Sequence, residues 1–153
     1  MHIKLAVFIF FMFSCTAYAD DTTTIGHWAQ HVLVETLSAS YKDTPAEIAA
    51  VRKNYLPGAW GPMHQFLLDK RVEINKKKLT LHPKPLHPPV VIASNDCGLS
   101  PCWKVSQSFN IPEMSLTLDF SLQIVPASLV KKATSLFLIQ SLSIVIHDQT
   151  RTF

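Results

Sequence analysis

Glycine is scarce in this chain, with four among 153 residues. Phosphate-binding loops and the nucleophile elbow of serine hydrolases depend on well-placed glycines, because only glycine permits their tight turns and close backbone approach. The chain contains no Gly-x-Ser-x-Gly motif and no glycine-rich loop before a helix. It therefore offers no recognisable nucleotide site and no nucleophile in a hydrolase setting.

The chain also lacks a large excess of one charge sign. The chain has 14 basic and 11 acidic residues, a formal net charge of +3 at pH 7, and no long basic stripe accompanies that balance. A nucleic-acid-binding surface needs clustered lysine and arginine to neutralise phosphates. We therefore expect no nucleic acid among the partners of this chain.

The apolar run at the N-terminus is short. Leu5–Phe13 spans nine residues, whereas a membrane-spanning helix needs about 20. The run follows Lys4 and precedes Ala17-Tyr18-Ala19, the small-x-small pattern that signal peptidase cleaves. The sequence thus predicts a secretory signal at residues 1–19 and a single exported domain at residues 20–153, with no retained transmembrane helix.

Two alternatives remain open, one for the location of the exported domain and one for the cleavage after Ala19. The signal directs export across the inner membrane only, so the periplasm is the expected location and release from the cell is the alternative. In the second alternative, Cys15 is the lipidated cysteine of a lipoprotein and holds the domain at a membrane. Phe13 disfavours it, because a lipobox needs a small or β-branched residue where Phe13 stands.

The first half of the chain has helical periodicity. Apolar residues fall at helical spacing between Thr24 and Tyr41, which predicts the first helix. Thr44-Pro45-Ala46-Glu47 is a capping box with proline at the first helical position, and the helix it opens ends at Leu56-Pro57-Gly58. A third helix is predicted from Trp60 to Arg71. Pro62 then lies in its first turn, where the missing backbone donor does no harm.

The second half alternates with the period of β-strands after a polar break at Asn75–Lys78. Four prolines interrupt the stretch that opens at Leu79-Thr80-Leu81, and this composition predicts a sheet edge or a bulge. Further strands are expected at Val90–Ala93, Trp103–Phe109, Met114–Ile124 and Ser135–His147. In the last of these, alternation places Leu138 and Leu142 on one face. Helices followed by strands predict an α+β fold, with N-terminal helices packed on a curved antiparallel four-stranded sheet.

The exported part contains two cysteines, Cys97 and Cys102. An even pair in an oxidising compartment indicates a disulfide, and Gly98 and Pro101 in the spacer suit a short loop between two strands. A redox dithiol uses a two-residue spacer at a helix start, and a zinc site would require further cysteines. We expect a structural disulfide.

Other groups that could carry chemistry are dispersed. His27 and His31 stand one helical turn apart, but no glutamate lies between them in the zinc-protease pattern. The other histidines considered as metal ligands are His64, His82 and His87. Asp119 and Glu35 are candidate carboxylates for an acid–base pocket, yet Asp119 falls on the polar face of its predicted strand. We therefore expect no catalytic residue, no bound metal and no cofactor.

Three stretches resemble a known family. They are Trp28–Tyr41, the aromatic-glycine segment Tyr55–Trp60, and Cys102-Trp-Lys-Val together with the alternating strand Met114–Val125. Each is similar to the periplasmic domain of DotI/IcmL proteins, inner-membrane components of type IVB secretion systems and related conjugation machines. The resemblance spans residues 24–146 and involves packing positions.

This resemblance implies a nuclear-transport-factor-2-like fold, akin to the assembly-factor subunit of type IVA machines. It also implies a non-enzymatic protein that works through contacts with secretion-system subunits or with itself. Family members of the core complex keep a cytoplasmic segment and a transmembrane helix, which the predicted cleavable signal replaces here. The expectation is therefore a soluble, accessory paralogue in the periplasm of a Gram-negative bacterium. The alternative is a small-molecule-binding or enzymatic domain of the same cone-shaped fold.

Overall fold

The computed structural model describes residues 16–98, 101–130 and 135–149. The chain forms three helices and then five strands, an α+β order that confirms the predicted fold class. The helices are α1 Thr16–Leu37, α2 Pro45–Arg52 and α3 Pro57–Lys77. The strands are β1 Lys84–Pro85, β2 Val90–Ser94, β3 Cys102–Ile111, β4 Leu116–Pro126 and β5 Phe137–Asp148.

Helix α1 is longer at its start and shorter at its end than the sequence predicts. It begins at Thr16 and ends at Leu37, because the chain beyond it turns extended and Ser40 forms a β-bridge with Thr80. Its buried side is the predicted apolar stripe, with Ile25, Ala29, Val32, Leu33 and Leu37 inside the core. Residues 1–15 of the predicted signal, Cys15 included, lie outside the described residues.

Helix α2 begins with the predicted capping box. The Glu47 amide donates to Thr44 Oγ1 over 3.3 Å, and the Thr44 amide donates to Glu47 Oε2 over 2.7 Å. These reciprocal bonds satisfy two backbone donors that a helix start leaves free. No residue of α2 is fully buried, although Ile48 and Val51 are half-buried. Local capping therefore defines this helix more than tertiary packing does.

The bounds predicted for α3 are wrong at both ends. The helix begins at Pro57, so Pro62 lies in its interior and not in its first turn. It also continues through the predicted polar break and ends at Lys77, where Lys78 adopts a left-handed conformation with φ 51°. Lysine carries a good helix propensity, which is why a run of lysines prolongs a helix that the core already holds through buried Ile74.

The sheet is antiparallel and has the order β1-β3-β4-β5, with β2 also paired to β3. Because β1 and β2 pair with opposite ends of the same edge of β3, the five strands fill four positions, as predicted. The prolines lie along this edge, as expected. The prediction of a strand at Leu79–Leu81 is wrong, since only Thr80 forms an isolated bridge there.

A buried amide fastens the proline-rich edge. Gln107 of β3 is 1% exposed, and its Nε2 donates to the carbonyl of His87 over 2.7 Å. Helix α1 covers the same edge closely: a Cβ added at Gly26 would lie 3.2 Å from Val91 Cγ2. Glycine at position 26 therefore lets the helix approach β2.

Strands β4 and β5 pair along eleven positions with one irregularity. Ile124 pairs with Ile139 and Gln123 with Ser141, so Gln140 is an extra residue in β5. Because an extra residue reverses the alternation of faces, the prediction that Leu138 and Leu142 share a face is wrong. Leu138 pairs with Val125 on the far face, whereas Leu142 pairs with Leu122 on the helix-covered face.

The main core fills the space between the helices and one face of the sheet. Its largest fully buried side chains from the sheet include Phe109, Phe120, Leu118, Leu122 and Ile139. The Tyr55 hydroxyl forms a 2.8 Å hydrogen bond with Thr36 Oγ1 inside this core, and burial raises the pKa of Tyr55. In the described part of the chain, no helix is both long and apolar enough to cross a membrane.

Candidate functional site

The sheet face opposite the helices is the candidate functional surface. We call it the outer face, and it is lined by the polar alternate residues of β3, β4 and β5. In its centre, Ser106, Ser121 and Ser143 stand opposite one another across the three strands, and all three are exposed. The face forms an open depression of about 410 Å³ that also includes Lys104 and Gln123.

Apolar side chains lie at both margins of the outer face. Val90 and Ile92 of β2 are 52% and 61% exposed, and Val145 of β5 is 53% exposed. Alternation places them here, since Val90 pairs with Ser106, Ile92 with Lys104 and Val145 with Asp119. A low-charge hydroxyl surface bounded by exposed branched residues suits contact with another protein, because little charge must be desolvated.

One carboxylate organises the polar groups at the end of the outer face. Ser108 Oγ donates to Asp119 Oδ1 over 2.6 Å, and His147 Nε2 lies 2.8 Å from Asp119 Oδ2. These bonds, the serine's first, lower the pKa of Asp119. The Asp119 side chain is 47% exposed, in agreement with the solvated position predicted for it. Serine and histidine both contact the carboxylate and not each other, so they do not form a nucleophile–base pair.

The first testable prediction concerns this carboxylate. We expect Ser108→Ala to raise the pKa of Asp119 toward its ordinary value, more than His147→Gln does, because the serine bond is the larger cause of the lowering. Because the folded-state pKa lies below the unfolded one, the ionised group stabilises the fold above the ordinary pKa. This contribution is lost as the pH falls through the folded-state value.

Carbon-13 NMR titration of the Asp119 carboxyl measures the effect directly. Ser121→Ala is the matched control, since Ser121 lies two residues along the same strand face and should leave the titration unchanged. An unchanged midpoint in Ser108→Ala would show that the serine does not hold the carboxylate in solution.

The predicted disulfide joins Cys97 to Cys102. Cys102 begins β3 opposite Ser94, the last residue of β2, so the bridge closes the connection between these strands. Both cysteines are buried against Val125, Ala127 and Leu138. This second, smaller cluster covers one end of the outer face.

The structure disperses the remaining candidate residues. His27 and His31 are exposed on α1, and His64 stacks on Trp60. His82 pairs with Glu113 over 2.7 Å, and His87 contacts the Pro88 carbonyl. Glu35 lies on the helical layer, away from the outer face that carries Asp119. Among the described residues no three or more metal-ligating side chains come together.

Sequence reasoning did not single out the serine row. Each strand showed alternating polar residues, but the register that aligns Ser106, Ser121 and Ser143 depends on the turn between β3 and β4 and on the position of the bulge. The usable signal was serine at alternate positions of β3 (Ser106, Ser108) and of β5 (Ser141, Ser143), together with Ser121 on the polar face of β4.

Comparison with solved structures identifies the fold. The chain superposes on an IcmL-like type IV secretion system protein from Legionella pneumophila with a TM-score of 0.67 and 16% identity, over 81% of this chain and 91% of that one. The periplasmic domain of DotI matches with a TM-score of 0.63 and 12% identity, over 79% and 92%. A periplasmic fragment of TraM matches with a TM-score of 0.60 and 12% identity, over 77% and 92%.

No family model matches the sequence, and no curated protein matches it either. The similarity is therefore one of fold, and it confirms the predicted resemblance to the DotI/IcmL periplasmic domains. At such low identity, individual residue roles do not transfer.

Proposed function

We propose that this chain is a non-catalytic, accessory periplasmic component of a type IVB secretion system, and that it acts through protein contacts on its outer face. The observation that carries the proposal is the fold shared with an IcmL-like protein, DotI and TraM over more than nine-tenths of each of those chains. The outer face, whose central serines are exposed, supplies the surface.

The filled interior supports a non-catalytic role. A cone-shaped domain that acts on a small molecule needs a deep pocket with convergent polar groups. Here Phe109, Phe120 and Leu118 occupy the space between sheet and helices, each at most 1% exposed. Three depressions described in the structure, one beside α2, one beside Gly26 and one on the outer face, are open to the surface. This packing weighs against the enzymatic alternative.

A periplasmic location has two supports. The bonded pair Cys97–Cys102 suits an oxidising compartment. Cleavage after Ala19 is also compatible with the fold, because Ile25 and the core residues that follow it in α1 all lie in the retained part of the chain. The mature protein would then start within α1 and keep its whole described core.

The test is a pull-down of the full-length chain from the bacterium that produces it. We expect secretion-system subunits to co-purify, and Ser121→Arg to reduce their recovery roughly tenfold by placing a bulky charge at the centre of the outer face. Gln65→Arg is the control: it adds the same side chain at an exposed position on α3, beside Asp69.

Matching thermal unfolding of both variants shows that the fold is intact. Recovery of no secretion-system subunit by the wild-type chain, with unchanged secretion in a deletion strain, would overturn the proposal. Equal recovery by Ser121→Arg and Gln65→Arg would exclude the outer face as the contact surface.

A further inference from the structure

A second recess lies in the helical layer, away from the outer face. It is bounded by the C-terminal part of α1, by α2 and by the middle of α3, and its volume is about 270 Å³. We call it the helical cleft. Ile48 and Val51 of α2 and Leu67 of α3 form its apolar floor, and all three are only half-buried.

The apolar floor is incompletely covered by the chain itself. Helix α2 buries no residue fully, and its Ile48 and Val51 pack against the edge of the main core while still lining the cleft. Covering such a surface with an apolar side chain of a partner removes it from water, which favours binding. A cleft of this size has room for a large apolar side chain of a partner.

The rim of the helical cleft is acidic. Glu35, Asp43 and Glu47 line it together with one cation, Arg71. Arg71 is already engaged: its Nη1 donates to the Ser40 carbonyl over 2.7 Å and its Nη2 lies 3.4 Å from Asp43 Oδ2. The chain as a whole is basic, with a formal charge of +3, so the acidic rim is a local feature.

Two of these carboxylates have free capacity for a cation. Glu35 has no hydrogen bond or ion pair among the residues that the structure describes. Glu47 uses Oε2 for the capping box, which leaves Oε1 to accept from outside. An incoming ammonium or guanidinium group would therefore find acceptors beside the apolar floor.

We propose that the helical cleft binds an amphipathic segment of a partner protein, which inserts an apolar side chain onto the floor and pairs a flanking lysine or arginine with Glu35 and Glu47. This inference rests on the proposed function, because it presumes that the chain works through protein contacts. The acidic rim disfavours an anionic lipid surface as the occupant, since like charges repel.

Site-specific photocrosslinking in the producing bacterium tests the proposal. A photoreactive amino acid replaces Ala50, an exposed residue that lines the cleft, and in a second strain it replaces Ser106 on the outer face. Mass spectrometry then identifies the crosslinked peptide. From position 50 we expect a partner segment with an apolar residue within one helical turn of a lysine or arginine.

The charge of the rim is tested by Glu35→Lys combined with Glu47→Gln. Glutamine preserves the capping box, so α2 should remain folded. We expect the crosslink from position 50 to fall roughly tenfold, because attraction is replaced by repulsion, while the crosslink from position 106 is unchanged. A far-ultraviolet circular dichroism spectrum confirms the fold of the double variant.

Each other outcome overturns the proposal. Crosslinks from position 106 alone would remove the helical cleft and leave the proposed function standing, whereas no protein crosslink from either position would remove both. A position-50 crosslink to lipid, to a second copy of this chain, or to a segment without a basic residue would contradict the stated partner. So would a crosslink that survives the loss of both acidic side chains.

Discussion

Phe120→Ala is expected to lower the free energy of unfolding by about 3–5 kcal/mol. Phe120 lies in the middle of β4, is 1% exposed, and packs edge-to-face on Phe109 with ring centroids 6.0 Å apart. Its strand neighbours are Gln107 and Ile144, and both pairings are held by the sheet register. The cavity left by the ring cannot close by an inward movement of β4, because the β4 backbone is hydrogen-bonded to β3 on one side and to β5 on the other.

Urea unfolding followed by circular dichroism measures this loss. Val145→Ala on β5 is the matched control, because Val145 is 53% exposed and its truncation should change stability by no more than about 0.5 kcal/mol. A similar, small loss in both variants would mean that Phe120 is not enclosed in solution. The arrangement of helices over the sheet would then need revision.

The strands were predictable because one face of each strand is buried and the other faces solvent, so apolar and polar residues alternate in the sequence. In β4, Leu116, Leu118 and Phe120 are buried while the residues between them face solvent at least in part, which is the two-residue period that the sequence displays. Bulges are different. Nothing in Gln140-Ser141-Leu142 distinguishes an extra residue from a regular one, and its position follows from how β5 meets both β4 and Tyr55.

Helix ends were predictable only where the signal is local. The capping box of α2 satisfies backbone groups within four residues, so its start could be identified from the sequence. Helix α3 starts at Pro57 because Leu56 is held in extended conformation, its amide donating to the Ile139 carbonyl over 2.9 Å. Proline at the first helical position is a local signal of this start, but Leu56-Pro57-Gly58 also fits a helix end, and the contact that decides between the two joins residues far apart in the chain.

The candidate sites were likewise predictable where the sequence alone defines them, and not where they depend on tertiary packing. Cys97 and Cys102 were identified because two cysteines allow one pairing. The outer face was anticipated as a polar strand face, but its serine row required the register of three strands. The helical cleft was missed because it combines Glu35 of α1 with Glu47 of α2 and Leu67 of α3, and their proximity exists only after the helices pack.

The chain shares its fold with these three structures at 12–16% sequence identity. A shared backbone arrangement requires apolar residues at buried positions, and many different side chains satisfy that requirement. Surface groups carry no such constraint. The contacts that this chain makes should therefore be sought in its own exposed residues, on the outer face and in the helical cleft.

Pro62→Ala is expected to raise the free energy of unfolding. Pro62 lies inside α3 and is exposed, so it removes a helical hydrogen bond to the Gly58 carbonyl without contributing to the core. Proline in a helix interior costs about 3 kcal/mol relative to alanine. We expect a gain of about 2 kcal/mol, below that figure because Gly61 has no Cβ to clash with the proline ring.

A double-mutant cycle with Gly61→Ala tests this reason. Space is available at position 61, where an added Cβ would meet no described atom within 4 Å apart from its chain neighbours and the adjacent backbone of α3 itself. In the Pro62→Ala background Gly61→Ala should add about 1 kcal/mol through helix propensity. In the wild-type background it should add nothing or destabilise, because alanine before proline resists the helical conformation. Equal effects of Gly61→Ala in the two backgrounds, measured by urea unfolding, would show that Gly61 does not relieve a steric conflict with the Pro62 ring.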